Sequence, residues 1–208
     1  MVVEVIVAII AYLLGSISFS ILISKKFAGF DVREKGSGNA GTTNMLRTVG
    51  KRAAAITLIL DVLKGVVSVL IAFVIGLIIK PTNPALLIQL AGIFVIVGHT
   101  FPIYFGFKGG KGIATAIGVL LTTNWQIGLI CLIFGILIIV FTKMVSAGSV
   151  SAAILFPVLV PFLGGSFLTE GNYLIFAMVI AMITTFNHRG NIKRILSGTE
   201  RKLGEKKK

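Results

Sequence analysis

One segment near the N-terminus, residues 36–47, combines three glycines with hydroxyl, amide and guanidinium groups in the order GSGNAGTTNMLR. Glycines let backbone amides approach a ligand, and a helix N-terminus that follows them favours an anion. Thr43 and Arg47 are four residues apart, so they share one helix face and can contact the same phosphate or carboxylate. The segment predicts an anion-binding loop; the alternative is a glycine-rich turn with an ordinary polar helix cap.

Gly36, Gly38 and Gly41 also match the G-x-G-x-x-G pattern of dinucleotide-binding folds, and Asp61 lies 20 residues beyond the last of them. That pattern requires a preceding strand and a βαβ unit. Apolar stretches of membrane-helix length flank it here. The flanking sequence therefore argues against a dinucleotide site.

A second segment, FKGGKGIATA at residues 107–116, places Lys111 between glycines at a predicted helix start. It is not a Walker A loop, because that loop needs Gly and Ser or Thr where this chain has Phe105 and Gly112. A lysine ammonium, open backbone amides and a helix dipole would nevertheless converge on a second anion. The alternative is that Lys108 and Lys111 are ordinary basic residues of a cytoplasmic loop.

A third segment, NHRGNIKRILSGTE at residues 187–200, follows the last apolar stretch. His188 and Asn191 are three residues apart, so they share a helix face that we expect to lie toward the neighbouring loops. A helix-end histidine bonded to a carbonyl explains His188 equally well. We expect most basic residues of this segment, and those of the basic cytoplasmic tail at residues 200–208, to contact anionic membrane lipids. Arg189 could either contact lipid or bind a substrate.

Ionisable side chains also occur inside the apolar stretches. Asp61 and Lys64 would each be costly alone in a membrane, so they are predicted to pair with each other or to line a polar cavity. His99 is predicted to bond a neighbouring helix. The single Cys131, the two histidines and the seven carboxylates show no metal-ligand spacing, so neither a metal nor another cofactor is expected.

The composition indicates which elements must position these segments. Of 208 residues, 56% are hydrophobic and 13% charged, and the mean hydropathy of +1.01 lies outside the range of soluble globular proteins. The pattern predicts an all-α polytopic membrane protein with about seven transmembrane helices, the fourth of them short, in a single domain of residues 1–208. The apolar stretches cover residues 2–23, 53–79, 85–100, 113–123, 126–142, 145–165 and 173–186.

Basic residues outnumber acidic ones by 20 to 7. If the N-terminus lies outside, the loops at 24–52, 101–112 and 143 and the segment from 187 all face the cytoplasm, and they hold 18 of the 20 basic residues. The positive-inside rule therefore predicts an outside N-terminus, a cytoplasmic C-terminus and an active site built from cytoplasmic loops and helix ends. No basic DNA-binding module fits, so nucleic acid is not an expected partner.

In this order, GSGNAGTTNMLR, GHTFPIYFGFKGGKGIATA and NHRGNIKRILSGTE resemble the motifs of the bacterial acyl-phosphate:glycerol-3-phosphate acyltransferases, the PlsY family. The resemblance covers nearly the whole chain and includes DVLKG at residues 61–65. It implies a multi-pass enzyme of the cytoplasmic (inner) cell membrane that transfers a fatty acyl group from acyl phosphate to the 1-hydroxyl of glycerol 3-phosphate. The products would be lysophosphatidic acid and phosphate, in the first acylation step of phospholipid biosynthesis, without acyl-CoA or a metal.

The same resemblance implies the site residues. Ser37, Lys111, His188 and Asn191 are expected to be catalytic, and the loop at 36–43 is expected to hold acyl phosphate. The expected substrate-binding residues are Gly36, Gly38, Asn39, Ala40, Thr42, Thr43, Asn44, Arg47, Gly110, Arg189 and Glu200, the last with a less certain role.

Acyl transfer from a mixed anhydride requires an aligned alcohol, a stabilised oxyanion and a neutralised leaving phosphate. Because phosphate leaves readily, we expect direct attack without an acyl-enzyme, with Ser37 orienting a substrate. The base is either His188 or a substrate phosphate, whose second pKa is about 6, and the phosphate is preferred. A transporter or flippase for a phosphorylated lipid precursor is the main alternative, although such sites usually lie near the membrane midplane between repeats. A lipid-binding scaffold would leave the glycine-rich loops unexplained.

Overall fold

The computed structural model describes residues 2–165 and 171–205, and every regular element in these ranges is helical. Short 3-10 turns at Val32–Glu34 and Ile103–Phe105 lie beside two of the connecting loops. The α-helices of the described ranges are α1 (Val2–Gly15), α2 (Phe19–Ala28), α3 (Thr42–Thr48), α4 (Lys51–Ile79), α5 (Pro84–Thr100), α6 (Ile113–Thr123), α7 (Trp125–Thr142), α8 (Val145–Leu163), α9 (Tyr173–Asn187) and α10 (Arg189–Leu196).

Helix length and apolar composition confirm an all-helical membrane architecture. Within the described residues, α6 and α9 are apolar but shorter than a full crossing, at 11 and 15 residues. At 1.5 Å per residue, α6 rises only about 16 Å. The short fourth segment is thus confirmed, while seven crossings stay a prediction. Among the residues that the structure describes, the five stretches long and apolar enough to cross a membrane are Val2–Ala28, Lys51–Ile79, Pro84–Phe105, Trp125–Thr142 and Val145–Leu163.

The outer faces of the long helices carry large apolar side chains. Ile78, Phe141 and Phe162 are 75%, 81% and 79% exposed. Contiguous exposure of this kind is unfavourable in water, whereas hydrocarbon accepts it. These faces therefore suit contact with lipid.

The first predicted crossing, residues 2–23, is interrupted, which its apolar pattern did not indicate. α1 ends at Gly15 and α2 begins at Phe19. Lys64 Nζ of α4 donates hydrogen bonds to the carbonyls of Gly15 and Ile17, at 3.0 and 2.9 Å. Carbonyls released by a helix break at membrane depth need such a partner, because lipid offers none.

The predicted pairing of Asp61 and Lys64 is confirmed. Both side chains are buried, and Lys64 Nζ lies 3.0 Å from Asp61 Oδ1. His99 of α5 also contacts a neighbouring helix as predicted, since its Nδ1 lies 3.5 Å from the same carboxylate oxygen. These three residues form a buried ionic cluster between α4 and α5.

Glycines bring two pairs of helices into backbone contact. A Cβ built on Gly15 of α1 would lie 2.2 Å from the carbonyl oxygen of Val95 on α5. A Cβ on Gly118 of α6 would lie 2.1 Å from the carbonyl oxygen of Val62 on α4. Small residues at such contacts allow the close packing of membrane helices. α5 and α6, whose connecting loop carries Lys111, are thereby held against α1 and α4.

Candidate active site

Asn44 shapes the loop between α2 and α3 from beneath. The buried Asn44 Oδ1 accepts a hydrogen bond from Ser37 N at 2.9 Å, and its Nδ2 donates to the carbonyls of Val32 and Lys35, at 2.9 and 3.0 Å. Gly36 has a φ of +67°, and a Cβ there would lie 2.1 Å from Asn44 Oδ1. Asn44 is predicted to bind substrate; in this structure its amide bonds the loop backbone, and a contact with substrate stays a prediction.

The other polar side chains of this loop remain accessible. Ser37 and Arg47 are exposed, and neither side chain forms a hydrogen bond with any residue that the structure describes. Thr43 is half-buried, and the buried Thr42 Oγ1 likewise has no hydrogen-bond partner among those residues. The remaining predicted positions form the turn itself, with Gly36 and Gly38 exposed, Asn39 half-buried and Ala40 buried.

Arg33 joins this loop to the loop between α5 and α6. Its Nη1 donates to the carbonyls of Phe105 and Lys108, at 2.7 and 3.0 Å. Its Nε and Nη2 donate to the two carboxylate oxygens of Asp31, at 3.0 and 2.8 Å, and the guanidinium holds the pKa of Asp31 below its usual range. This bidentate pair fixes the guanidinium and so the distance between the loops.

Gly110 is the point where the two loops touch. Its backbone N donates to the His99 carbonyl at 3.1 Å. A Cβ on Gly110 would lie 2.1 Å from His99 Nε2 and 2.8 Å from the carbonyl oxygen of Ala40. Any side chain at this position would therefore separate the loops and displace Lys111, the next residue.

Lys111 connects the second motif to the third. Its Nζ donates a hydrogen bond to Asn191 Oδ1 in α10. Burial lowers the pKa of Lys111 to about 8; Glu200 opposes this shift, and Arg194 and Arg47 add to it. Lys111 is thus a partly desolvated cation at neutral pH, which suits it to bind a phosphate.

Glu200 fixes the orientation of Asn191. Its Oε1 accepts from Asn191 Nδ2 at 2.6 Å and from Ser146 Oγ at 2.7 Å, and its Oε2 accepts from Arg194 Nε at 2.7 Å. Burial alone would raise the pKa of Glu200, but these hydrogen bonds and the charge of Arg194 lower it. Because Asn191 Nδ2 is bound to Glu200, the amide presents its oxygen to Lys111. Glu200 is predicted to bind substrate; both its oxygens are bonded within the protein, and a contact with substrate stays a prediction.

His188 is buried where α9 meets α10. Its Nδ1 lies 2.7 Å from the Thr184 carbonyl oxygen, which can only accept, so Nδ1 is the donor and Nε2 carries the lone pair. Burial and the nearby charge of Lys111 lower the pKa of His188 to about 4. The ring is therefore neutral at physiological pH. The carbonyl-bonded histidine considered from the sequence is present, and its second nitrogen keeps an acceptor for a substrate.

The two predicted arginines have different surroundings. Burial, followed by the charge of Arg201, lowers the pKa of Arg47, which places the first motif beside the third. Arg189 is exposed; its Nη1 donates to the Phe186 carbonyl at 3.1 Å and its guanidinium lies 4.5 Å from the Phe186 ring centre. Arg47 thus belongs to the charged cluster around Lys111, whereas Arg189 lies on the exposed end of α9.

An apolar cavity of about 90 Å³ lies among α6, α7, α8 and α9. Ile113, two residues after Lys111, and Thr184 line it, and it follows α6 to Leu120. The carbonyl of Thr184 is the one that holds His188. Small residues dominate the wall formed by α7 and α8, namely Gly128, Gly135, Gly148, Ala152 and Ala153.

Comparisons with known proteins show the family of this chain. A family model described as glycerol-3-phosphate acyltransferase matches residues 5–198. The chain belongs to the glycerol-3-phosphate acyltransferase family. A relative of that name from Clostridioides difficile (strain 630) is 46% identical over 210 residues, which cover 98% of this chain and 97% of the relative. Another from Thermoanaerobacter sp. (strain X514) is 45% identical over 202 residues, covering 97% and 96%.

Solved structures share the fold of this acyltransferase. The crystal structure of PlsY (YgiH), an integral membrane glycerol 3-phosphate acyltransferase, in its glycerol 3-phosphate form has a TM-score of 0.85 and 36% identity, covering 97% of this chain and 96% of that chain. The lysophosphatidic acid form has a TM-score of 0.82 and 34% identity, covering 97% and 95%. The acyltransferase is therefore a multi-pass integral membrane protein.

Sequence reasoning missed the residues that hold the loops of the acyltransferase together. Asp31 and Arg33 lie just before the first motif, where two neighbouring opposite charges were the only available signal. Ser146 lies at the start of an apolar helix, and its bond to Glu200 depends on tertiary structure alone. Within residues 2–165 and 171–205, no group of three His, Cys, Asp or Glu side chains could hold a metal ion.

Proposed function

We propose that this acyltransferase moves a fatty acyl group from acyl phosphate to the 1-hydroxyl of glycerol 3-phosphate, the first acylation of phospholipid biosynthesis. The observation that carries the proposal is a half-buried cation, Lys111, two residues before Ile113, which lines an apolar cavity. Both substrates are phosphates, and the donor also has an apolar chain, so the site matches both parts of the donor. The solved relatives in glycerol 3-phosphate and lysophosphatidic acid forms support the acceptor and the product.

Lys111 and Arg47 have different roles in binding the substrate phosphates. Lys111 and the amides of residues 36–43 hold the leaving phosphate of the donor, and Arg47 helps to fix a substrate phosphate. Ser37, exposed in the same loop, orients a substrate through its hydroxyl. Donors placed in advance around the developing charge stabilise the transition state without reorganising.

The acceptor hydroxyl oxygen attacks the acyl carbonyl carbon. An ester C–O bond forms, the anhydride C–O bond to phosphate breaks, and the hydroxyl proton passes to a base. His188 has a pKa of about 4 and is a weak base, whereas a substrate phosphate has a second pKa of about 6. The substrate phosphate therefore takes the proton of the 1-hydroxyl, and His188 Nε2 orients glycerol 3-phosphate by accepting a hydrogen bond from its other hydroxyl, the 2-hydroxyl.

His188→Ala separates these two roles of the histidine. For an orienting group, we expect a raised KM for glycerol 3-phosphate with most of kcat retained. Steady-state kinetics with saturating acyl phosphate measure both constants. A fall in kcat by several orders of magnitude at unchanged KM would identify His188 as the base and refute the assignment.

Direct transfer predicts no covalent acyl-enzyme. The protein is incubated with radiolabelled acyl phosphate while glycerol 3-phosphate is omitted, then denatured and analysed for bound label. We expect none above the level found with Ser37→Ala. Label attached to Ser37 would show that the serine is a nucleophile.

The apolar cavity receives the acyl chain of the donor, because it is lined by Ile113, two residues after Lys111, and by Thr184, whose carbonyl oxygen bonds His188. Ala152→Phe, in the wall of the cavity, is expected to lower kcat/KM for a long-chain donor by about tenfold more than for a short-chain donor, since overpacking costs about 1–3 kcal/mol. Ile154→Phe, on the exposed face of the same helix, is the matched control. Equal effects of both variants would place the chain elsewhere.

We also propose that the single domain, residues 1–208, crosses the inner cell membrane seven times, with the N-terminus outside. The bias of basic residues supports this topology, and the tail of residues 200–208 would contact anionic lipids. The tail starts close to the site, because Leu203 N donates to the Lys143 carbonyl at 2.7 Å; residues 206–208 lie outside the described ranges.

Impermeant thiol labelling tests this topology in intact cells. Single cysteines replace Thr82, in the loop after α4, and Ser197, after α10, both of which are exposed. We expect only the first to react from outside. Labelling of the second from outside would refute the orientation.

The function itself is tested with purified protein in detergent, given glycerol 3-phosphate with either acyl phosphate or acyl-CoA. We expect lysophosphatidic acid from acyl phosphate alone. Equal product from acyl-CoA would refute the donor assignment, and no product from either donor would refute the proposal.

A further inference from the structure

Three buried ionisable residues form a chain of contacts beneath the site. Lys64 Nζ lies 3.0 Å from Asp61 Oδ1, and His99 Nδ1 lies 3.5 Å from the same oxygen; their side chains are at most 6% exposed. None of them takes part in the acyl transfer proposed above. Burying charges costs several kcal/mol per ion, and apolar residues of similar size would fill the space without that penalty.

One end of this chain is fixed at the break between α1 and α2. An ammonium group has three hydrogen-bond donors. Lys64 donates to the Gly15 carbonyl at 3.0 Å and to the Ile17 carbonyl at 2.9 Å, and its Nζ also forms an ion pair with Asp61 Oδ1 at 3.0 Å. Lys64 therefore has no freedom to rotate, and it holds the Asp61 carboxylate in one place.

The other end is His99, which supports the loop between α5 and α6. Gly110 N donates to the His99 carbonyl at 3.1 Å, and Gly109 N donates to the Thr100 carbonyl at 3.0 Å. A Cβ on Gly110 would lie 2.1 Å from His99 Nε2, and one on Gly109 would lie 2.0 Å from the His99 carbonyl oxygen. The loop backbone thus rests directly on both the ring and the carbonyl of His99.

Lys111 follows Gly110, so any movement of the loop backbone moves the base of its side chain. We propose that Lys64, Asp61 and His99 are positioning residues that set the location of Lys111 through the contact of His99 with Gly110. The expected loss of turnover rests on the proposed function. The effect on the Lys111 side chain does not depend on it.

His99→Asn is the variant that tests this proposal most directly. Its amide can still donate toward Asp61, while the ring edge that contacts Gly110 is removed. Ser68→Ala is the matched control, because it deletes a buried hydrogen bond between the same two helices, from Ser68 Oγ to the Ala91 carbonyl at 3.3 Å, without touching the loop. Thermal unfolding in detergent verifies that both variants fold.

The first readout is the apparent pKa of Lys111, taken from the pH dependence of its labelling by an amine-reactive reagent and quantified by mass spectrometry. The wild type and Ser68→Ala are expected to give a value of about 8. In His99→Asn the amine leaves its half-buried place among Glu200, Arg194 and Arg47, so we expect a rise of about one unit or more toward the ordinary lysine value near 10.4.

The second readout is turnover. A misplacement of about 1 Å can cost about 100-fold, so His99→Asn is expected to lower kcat by about that factor. The KM for glycerol 3-phosphate is expected to stay within about threefold, as expected for a group that acts in the transition state. A purely structural role would not produce this division between kcat and KM.

An unchanged Lys111 pKa in folded His99→Asn would overturn the proposal, whatever happens to turnover. A shifted pKa with unchanged turnover would support positioning and would count against the role of Lys111 in the proposed function. If His99→Asn does not fold, Asp61→Asn keeps the size of the side chain and an acceptor for Lys64. An unchanged Lys111 pKa in that variant would also overturn the proposal.

Discussion

Two buried asparagines, one in the first motif and one in the third, have different partners. Asn44 bonds three backbone groups of its own loop, whereas Asn191 bridges two charged side chains, Lys111 and Glu200. Asn44 thus fixes the backbone path of its loop, whereas Asn191 fixes the position of the charged Lys111 side chain. Loss of Asn44 should therefore affect folding first, and loss of Asn191 should affect turnover first.

Asn44→Ala is expected to have the largest effect. It leaves the Ser37 amide without a partner and removes one of the two hydrogen bonds to each of the Val32 and Lys35 carbonyls. An unpaired group costs about 1–3 kcal/mol and a lost hydrogen bond about 0.5–1.5 kcal/mol, so the loss of stability is about 3 kcal/mol. At about 2–4 °C per kcal/mol, the thermal midpoint should fall by roughly 10 °C. Asn44→Asp keeps the acceptor for the Ser37 amide, so its thermal midpoint should fall less. A wild-type midpoint in Asn44→Ala would contradict its structural role.

Asn191→Ala is expected to lower kcat by about 10- to 100-fold, because a hydrogen bond to a charged group contributes about 1.5–3 kcal/mol. Its thermal midpoint should stay within a few degrees of the wild type, since no backbone group loses its partner. Steady-state kinetics and a thermal scan on the same preparation check both values. A midpoint as low as that of Asn44→Ala would remove the distinction between the two asparagines.

Asn191→Asp tests the contact between Asn191 and Lys111 through the pH dependence of kcat/KM. Lys111 has a pKa of about 8, so it is charged below that pH and loses its proton as the pH rises through it. If the cation is required, kcat/KM should fall above about pH 8 in the wild type. A carboxylate at position 191 raises the pKa of Lys111 and should move this fall to higher pH. If kcat/KM of Asn191→Asp fell at the same pH as in the wild type, the fall would reflect the titration of a group other than Lys111.

Ser146→Ala is expected to have the smallest effect. It removes one of the two hydrogen bonds to Glu200 Oε1, and a bond to a charged group contributes about 1.5–3 kcal/mol. Because Ser146 acts on the site only through Glu200, we expect a smaller loss in kcat, roughly two- to tenfold. Asn191 keeps its own bond to Glu200. A loss larger than that of Asn191→Ala would mean that Ser146 contacts substrate directly.

Hydrophobic runs and residue spacing predicted much of this molecule. The boundaries of the later helices follow their apolar runs, and the helical spacing of His188 and Asn191 placed both at one helix end. The roles of Asn44 and Glu200 could not be read in this way, because a motif does not show whether a side chain bonds a ligand or its own loop. The break after Gly15 was hidden too, since its carbonyls are bonded by Lys64 of another helix.

The central claim is that Lys111 is the cation on which acyl transfer depends. Lys111→Ala and Lys108→Ala test it directly, since both remove a lysine from the same loop and, of these two lysines, Lys111 is the one that bonds Asn191. Formation of lysophosphatidic acid from acyl phosphate and glycerol 3-phosphate is measured for both. We expect Lys111→Ala to lose about 100-fold or more in kcat/KM, as for removal of a transition-state donor, and Lys108→Ala to stay within about twofold. Equal rates for the two variants would contradict the account.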